Sequence, residues 1–278
     1  MSQNYFLRDH NATGSEWERL DEFHNGMRSF LEGQLSFAPI ENPRRIIDIG
    51  AGSGAWVIQA AEMFPESQIV AADIKPLPPR PFPSNVSFQE LNIIEPLASV
   101  ELAESFDIVH IRLLFYHIPE KHISAVLKNA TRLLKPNGWL LIEDCGKHFG
   151  HEASKGPAMT TFEKMYMSMI HSKGLDPIIG EHLEKYLREL DSYNDINARC
   201  VPLILTTDQQ RAGETPQIRS LSNALRITIE RIATGNIGED MKAAGLTPEL
   251  QKAWADERSD PAFHTTHDFW FIWSRKKM

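Results

Sequence analysis

The stretch Arg44–Pro65, RRIIDIGAGSGAWVIQAAEMFP, decides the fold. Its first half sets Ile46, Ile47 and Ile49 around a single acid, Asp48, as a short buried strand does. Glycines follow at every second position, Gly50, Gly52 and Gly54, and a helical run then extends to Pro65. A turn from strand to helix takes glycine where the backbone bends or where a ligand approaches it closely. The helix that follows offers unpaired N–H groups and the positive end of its dipole. Many such turns carry glycine for packing alone, so the setting has to give the motif its weight. Here a strand precedes the loop, a helix follows, and a second acid, Asp73, stands at the end of the next strand. A carboxylate at that place accepts the hydroxyls of a ribose.

Outward from this loop, short apolar strands alternate with helices. QIVAADI (68–74), VSFQELN (86–92), FDIVHIR (106–112) and GWLLIEDC (138–145) read as strands. KHISAVLKNATRLLK (121–135) reads as a helix closed by PNG. This alternation predicts an α/β protein with a doubly wound, mostly parallel sheet, helices on both faces, and a ligand site beyond the carboxyl ends of the strands. After Gly150 the pattern loosens. Residues 157–174, 179–190, 216–234 and 238–256 read as helices, and INARCVPLILT (196–206) and HDFWFIWSRKK (267–277) bring the strand count to seven. Ahead of the loop, residues 15–38 carry Trp17, Leu20, Phe23, Met27, Phe30 and Leu31 on one helical face, with Ser15 and Glu18 as a capping box. The expected organisation is an N-terminal helical cap over 1–40 and a ligand-binding domain over 41–278, with a helical substrate cover inserted at about 150–192.

Composition narrows the class. The 278 residues are 42% hydrophobic and 24% charged, which suits a globular protein with a substantial core. Two cysteines, Cys145 and Cys200, make neither a disulfide framework nor a zinc site. A net charge of −8 argues against nonspecific nucleic-acid binding. No apolar run approaches membrane-spanning length, and the first residues do not read as a signal peptide, so a cytoplasmic protein, monomer or homodimer, is expected.

Two readings compete for a nucleoside ligand at the loop. A dinucleotide enzyme prefers G-x-G-x-x-G, but the corresponding position here is Val57. The acid-x-Gly-x-Gly-x-Gly form resembles motif I of class I S-adenosylmethionine (SAM) methyltransferases, whose loop passes under a ligand without phosphate. AADIKP (71–76) resembles their second motif, FQELNIIEPL (88–97) the segment after the third strand, FDIVHIRLLFYHIPE (106–120) motif IV, and LKNATRLLKPNGWLLIEDC (127–145) the helix, turn and fifth strand. ERLDEFH (18–24) and GAW (54–56) resemble fungal methyltransferase-like proteins of secondary metabolism.

The resemblance implies a Rossmann-like methyltransferase fold, SAM as cofactor with S-adenosylhomocysteine as product, and a small-molecule acceptor, with O-methylation expected. It assigns the cofactor to Asp48, Gly50, Ala51, Gly52, Gly54, Asp73, Ile74, Asn92, Ile93, His110 and Arg112. Asn92 departs from the acid usual at the adenine, although an amide still pairs with an adenine edge. His117 stands where a general base would face the methyl group, or where a packing histidine would sit. Alternation puts His110 and Arg112 on one side of their strand, for cofactor contact or for pairing with Asp48 or Glu143. Tyr116, His148 and Met165 are assigned to the acceptor. Glu143 and Asp144 read as capping or solvent-facing acids. His148 and His151 have no third partner nearby, so no metal site is expected, and Tyr5, Phe6 and His10 are placed to close over the pocket. Two further functions share the fold: a cyclase that keeps SAM without transferring its methyl, and a regulatory binding protein.

Overall fold

The structure is a computed structural model that describes residues 14–97, 102–148, 154–205, 213–234 and 237–278. Tyr5, Phe6, His10 and His151, and the side chain of Ser15, lie outside the described residues. The apolar runs form β1 (Arg45–Ile49), β2 (Gln68–Asp73), β3 (Val86–Glu90), β4 (Phe106–Arg112), β5 (Leu134–Cys145), β6 (Tyr193–Ile204) and β7 (Thr266–Lys276). They make one seven-stranded sheet in the order β3-β2-β1-β4-β5-β7-β6. The first five strands are parallel, and β7 runs antiparallel between β5 and β6. The order reverses between β1 and β4, which opens the ligand crevice at their carboxyl ends.

Each face of the sheet buries its own layer. Ile47, Ile49, Val109 and Ile111 point to the face packed against α3 (Glu120–Leu133) and α5 (Ile179–Leu190). Ile46, Ile108 and Leu141 meet Trp56, Val57 and Ala60 of α2 (Ala55–Met63) on the other. The alternation that hides these aliphatic groups also puts Asp48 and His110 on the α2 face. α3 passes directly into β5 at Leu134, so the PNG turn expected to separate them lies inside the strand as a bulged edge beside β4. The N-terminal helix α1 (Gly14–Phe30) is shorter than expected, because Glu32 and Gly33 adopt positive φ and turn the chain.

The expected cover over 150–192 divides. α4 (Pro157–Ser172) forms a small apolar cluster with α8 (Pro248–Ser259), built on Met159, Phe162 and Trp254. α5 instead buries Leu183 and Leu187 in the main core beneath the sheet. Its buried residues, Ile179, Leu183 and Leu187, recur every four positions, which is the single stripe of a helix docked on a sheet. The rest of the cover comes from α6 (Pro216–Thr234) and α8, between β6 and β7, with α7 (Glu239–Ala243) joining them. No described helix is long and apolar enough to cross a membrane.

Candidate active site

The glycine loop bends between β1 and α2. Gly52 (φ 57°) and Gly54 (φ 78°) are left-handed, where a Cβ would be strained. A Cβ on Gly52 would also press Leu20 of α1 at 3.3 Å, and one on Gly54 would strike the Phe82 ring at 2.6 Å. The freed Gly52 N–H donates to Asp73 Oδ2 at 3.0 Å, and the Lys75 N–H donates to Oδ1 at 3.1 Å. Burial raises the Asp73 pKa, and the amides of Gly52, Lys75 and Ile74 pull the other way. The acid therefore stands at the end of β2 in a cradle of backbone amides, beside a loop stripped of side chains. Such a cradle fits the ribose and methionine portions of a nucleoside ligand.

Two spaces meet at Gly50 and Asp73. One is a narrow cleft lined by Ile74, Asn92 and Ile93. Asn92 holds the turn there, its side-chain oxygen accepting the Ile94 N–H at 3.2 Å. Asn129 of α3 fixes the same turn from behind by donating to the carbonyls of Ile93 and Glu95 at 2.7 and 2.9 Å. The other space is a cavity of about 270 Å³ that continues from the loop past Arg112, Tyr116 and His117 to His148.

Tyr116 and His117 ride on a short 3-10 turn, Phe115–His117, after β4. Asp144 sets this turn: it is fully buried, with Oδ2 accepting the Phe115 N–H at 2.9 Å and Oδ1 the Cys145 N–H at 2.8 Å. Burial pushes its carboxyl to about 7 despite those amides. Enclosure lowers His117 to about 4, with Arg19 adding to the effect, and lowers His148 to about 4, so both rings are neutral at pH 7. Tyr116 Oη lies 2.7 Å from Tyr166 Oη of α4.

Several residues expected at the cofactor stand outside both spaces. His110 stacks on Trp56 at 3.8 Å and bonds to Asp48 Oδ1 at 2.7 Å and Glu143 Oε2 at 3.3 Å. Burial opposes charge on this ring, but the two carboxylates outweigh it and raise its pKa. Asp48 and His110 thus brace the loop from the α2 face without lining either space. Ala51 packs in the α2 layer, and Gly54 acts through backbone shape. Glu143, expected to cap or face solvent, is buried 3.8 Å from Arg112, whose Nη2 lies 3.2 Å from His24 Nδ1. Met165 turns toward the α4–α8 cluster, and its neighbour Tyr166 lines the cavity, because one helical step rotates a side chain by about 100°.

Other lining residues have no motif in the sequence. Glu16 and Arg19 of α1 form a pair at 2.5 Å on the cavity wall, and Leu20 roofs the glycine loop. His267 and Arg258 arrive from β7 and α8. The step of three or four residues along α1 signalled Leu20 as apolar, but nothing local announced Arg258 or His267.

With this geometry in place, the comparisons with known proteins agree. Residues 23–194 match the family described as "Methyltransferase domain". The chain is 35% identical to methyltransferase str2 of Strobilurus tenacellus over 87% of this chain and 85% of that one. It is 28% identical to N-methyltransferase tcpN of Claviceps purpurea, over 87% and 88%. Among solved structures it resembles phosphoethanolamine N-methyltransferase 2 of Haemonchus contortus, in complex with phosphomonomethylethanolamine and S-adenosylhomocysteine, with a TM-score of 0.59 and 17% identity. That likeness, which speaks for the fold, covers 100% of this chain and 61% of the other. From the glycine cradle, the sheet order and these relatives together, the chain belongs to the methyltransferase-domain family and is a SAM-dependent methyltransferase.

Proposed function

We propose that the protein transfers the methyl of SAM to an oxygen of a small secondary-metabolite acceptor. The observation that carries this reading is the continuity of one cavity from Gly50, Gly52 and Asp73 to the enclosed rings of Tyr116, His117 and His148. In this reading Asp73 takes the ribose hydroxyls, Asn92 and the Ile93 amide hold the adenine, and Arg112 faces the methionine carboxylate. SAM supplies the electrophilic methyl, and the chain aligns acceptor and sulfur and excludes water. His117, neutral at pH 7, takes the acceptor's proton. Burial penalises the imidazolium formed, so an already acidic O–H suits it better than an alcohol.

An amine acceptor would arrive as a cation. The lining acids are Glu16, already paired with Arg19, and Asp73 at the glycine loop. Beyond His117 the described lining offers a cationic amine no carboxylate, which favours oxygen over nitrogen.

Calorimetry with S-adenosylhomocysteine tests the cofactor site directly. Binding is expected, and Asp73→Ala is expected to weaken it by about 1–3 kcal/mol through loss of charge-assisted bonds. Absence of any binding by the wild-type protein would sink the reading. Incubation with SAM and an acceptor then separates transfer from cyclisation: transfer adds one methyl mass and releases S-adenosylhomocysteine, whereas a cyclase leaves the mass and the SAM unchanged.

A further inference from the structure

Beyond Tyr116 the cavity runs away from the glycine loop along a series of rings. His148 lies 4.9 Å from Tyr116, and His267 lies 4.4 Å from His148. Past them the wall is apolar, with Phe162, Trp254, Leu225 and Ile229. Arg258 enters this wall. It is 7% exposed, its guanidinium lies over the Trp254 ring at 4.6 Å, and Nη2 donates to the Leu205 carbonyl at 3.1 Å.

Its charge is poorly matched among the described residues. Among the described residues its one carboxylate partner within 4 Å is Glu230, whose Oε1 is 3.7 Å from Arg258 Nη2 and also takes Arg226 Nη1 at 3.1 Å. One half-exposed carboxylate therefore answers two guanidiniums. Arg258 Nη1 is buried with no hydrogen-bond partner among the described residues, as are both ring nitrogens of His267 and Nε2 of His148. A buried donor without a partner is costly, and a buried cation more so, unless the molecule that fills the space supplies the acceptor. Burial lowers the Arg258 pKa, but only to about 10, so the charge remains at pH 7. Arg presents its N–H groups as a planar fork that matches a carboxylate. His267, as a neutral ring, has one N–H to add.

We infer that this end of the cavity selects an acceptor with a flat apolar body and a carboxylate, the body lying against the wall of Phe162, Leu225 and Ile229 and the carboxylate taking the spare Arg258 donor. The inference deepens the methyltransferase reading and rests on it only for placing the acceptor here.

The test is a calorimetric titration of the S-adenosylhomocysteine-saturated protein with benzoate, 2-naphthoate and biphenyl-4-carboxylate, each against its primary amide. At least one acid is expected to bind ten-fold or more tightly than its amide. Arg258→Met should abolish that preference while leaving the amide's affinity within about two-fold, and Arg258→Lys should keep part of it. Because the readout is a ratio within one protein, a general loss of stability does not mimic it. Equal binding of acid and amide, a preference that survives Arg258→Met, or no binding by any of the three acids overturns the inference. The prior S-adenosylhomocysteine titration decides the methyltransferase reading separately, and if that ligand fails to bind, the same acid–amide comparison on the free protein still decides this one.

Discussion

At the scale of the residue, the acids of β5 show how much an environment changes a side chain's job. Glu143 and Asp144 are adjacent and chemically alike, yet the strand's alternation sends them to opposite faces. Glu143 joins the His110–Arg112 group, and Asp144 accepts two backbone N–H bonds that hold the turn carrying Tyr116 and His117. Asp144→Asn keeps the shape but replaces one acceptor with a donor, so one buried N–H loses its partner at a cost of about 1–3 kcal/mol. The expected result is a lower thermal midpoint and a lower kcat for methyl transfer, with S-adenosylhomocysteine affinity held within about three-fold. Calorimetric titration and single-turnover methylation separate the two effects. An unchanged kcat would show that the turn keeps its place without this acid. In the sequence, Asp73 was legible as an acid beside the glycine loop because the motif gave it a frame, whereas the buried pairing of Asp48 with His110 was not. Asp144 was not, since one acid at a strand end has the same local signature whether it faces water or a buried turn.

At the scale of the element, α1 is the roof of the glycine loop. Leu20 covers Gly52, Arg80 of the proline-rich loop binds Asp21 at 2.8 Å, and Arg112 reaches His24. The roof is set in place where α1 crosses α6. A Cβ on Gly26 would come within 2.5 Å of Ala224 Cβ and 3.2 Å of the Ser220 carbonyl, so the helices meet backbone to backbone. Gly26→Ala is therefore expected to lose stability by about 1–3 kcal/mol through overpacking, despite alanine's better helix propensity. Adding Ala224→Gly should return much of that loss, a coupling that urea denaturation of the four proteins in a mutant cycle measures. Additive losses would mean that the two positions do not meet. The helical face of α1 was plain from its apolar spacing, but its partner was not. α6 lies about 200 residues downstream, and contacts at that separation leave no periodic trace.

At the scale of the whole molecule, the half of the sheet from β1 to β5 could be read because each strand is an apolar run bounded by turn residues. The deep wall of the cavity could not, since α4, α6, α8 and β7 converge only after the sheet has formed. The folded chain buries several titratable groups, and their linkage to folding gives a prediction for the entire chain. Burial lowers His24 to about 2, His117 and His148 to about 4, and His267 well below its ordinary 6.5. Between those values and 6.5 the unfolded chain binds protons that the folded chain does not, so stability rises with pH across this window. Asp144, raised to about 7, and Asp73, raised more modestly, act oppositely, because the folded state keeps their protons above pH 3.8. Four histidines against Asp144 leave about three protons taken up on unfolding near pH 5, a slope of about 4 kcal/mol per pH unit, which the raised Asp73 lessens. Above 6.5 the sign is opposite for His110, whose raised pKa gives stability that is lost as pH climbs through its folded value. Urea midpoints taken from pH 4.5 to 6 should therefore climb steeply, and the climb should level off above 6.5. His24→Asn should flatten the acid limb by up to about 1.4 kcal/mol per pH unit, the contribution of one proton. A flat acid limb in the wild-type protein would mean that these histidines are not held neutral, and with it would go the case for an uncharged imidazole beside the acceptor.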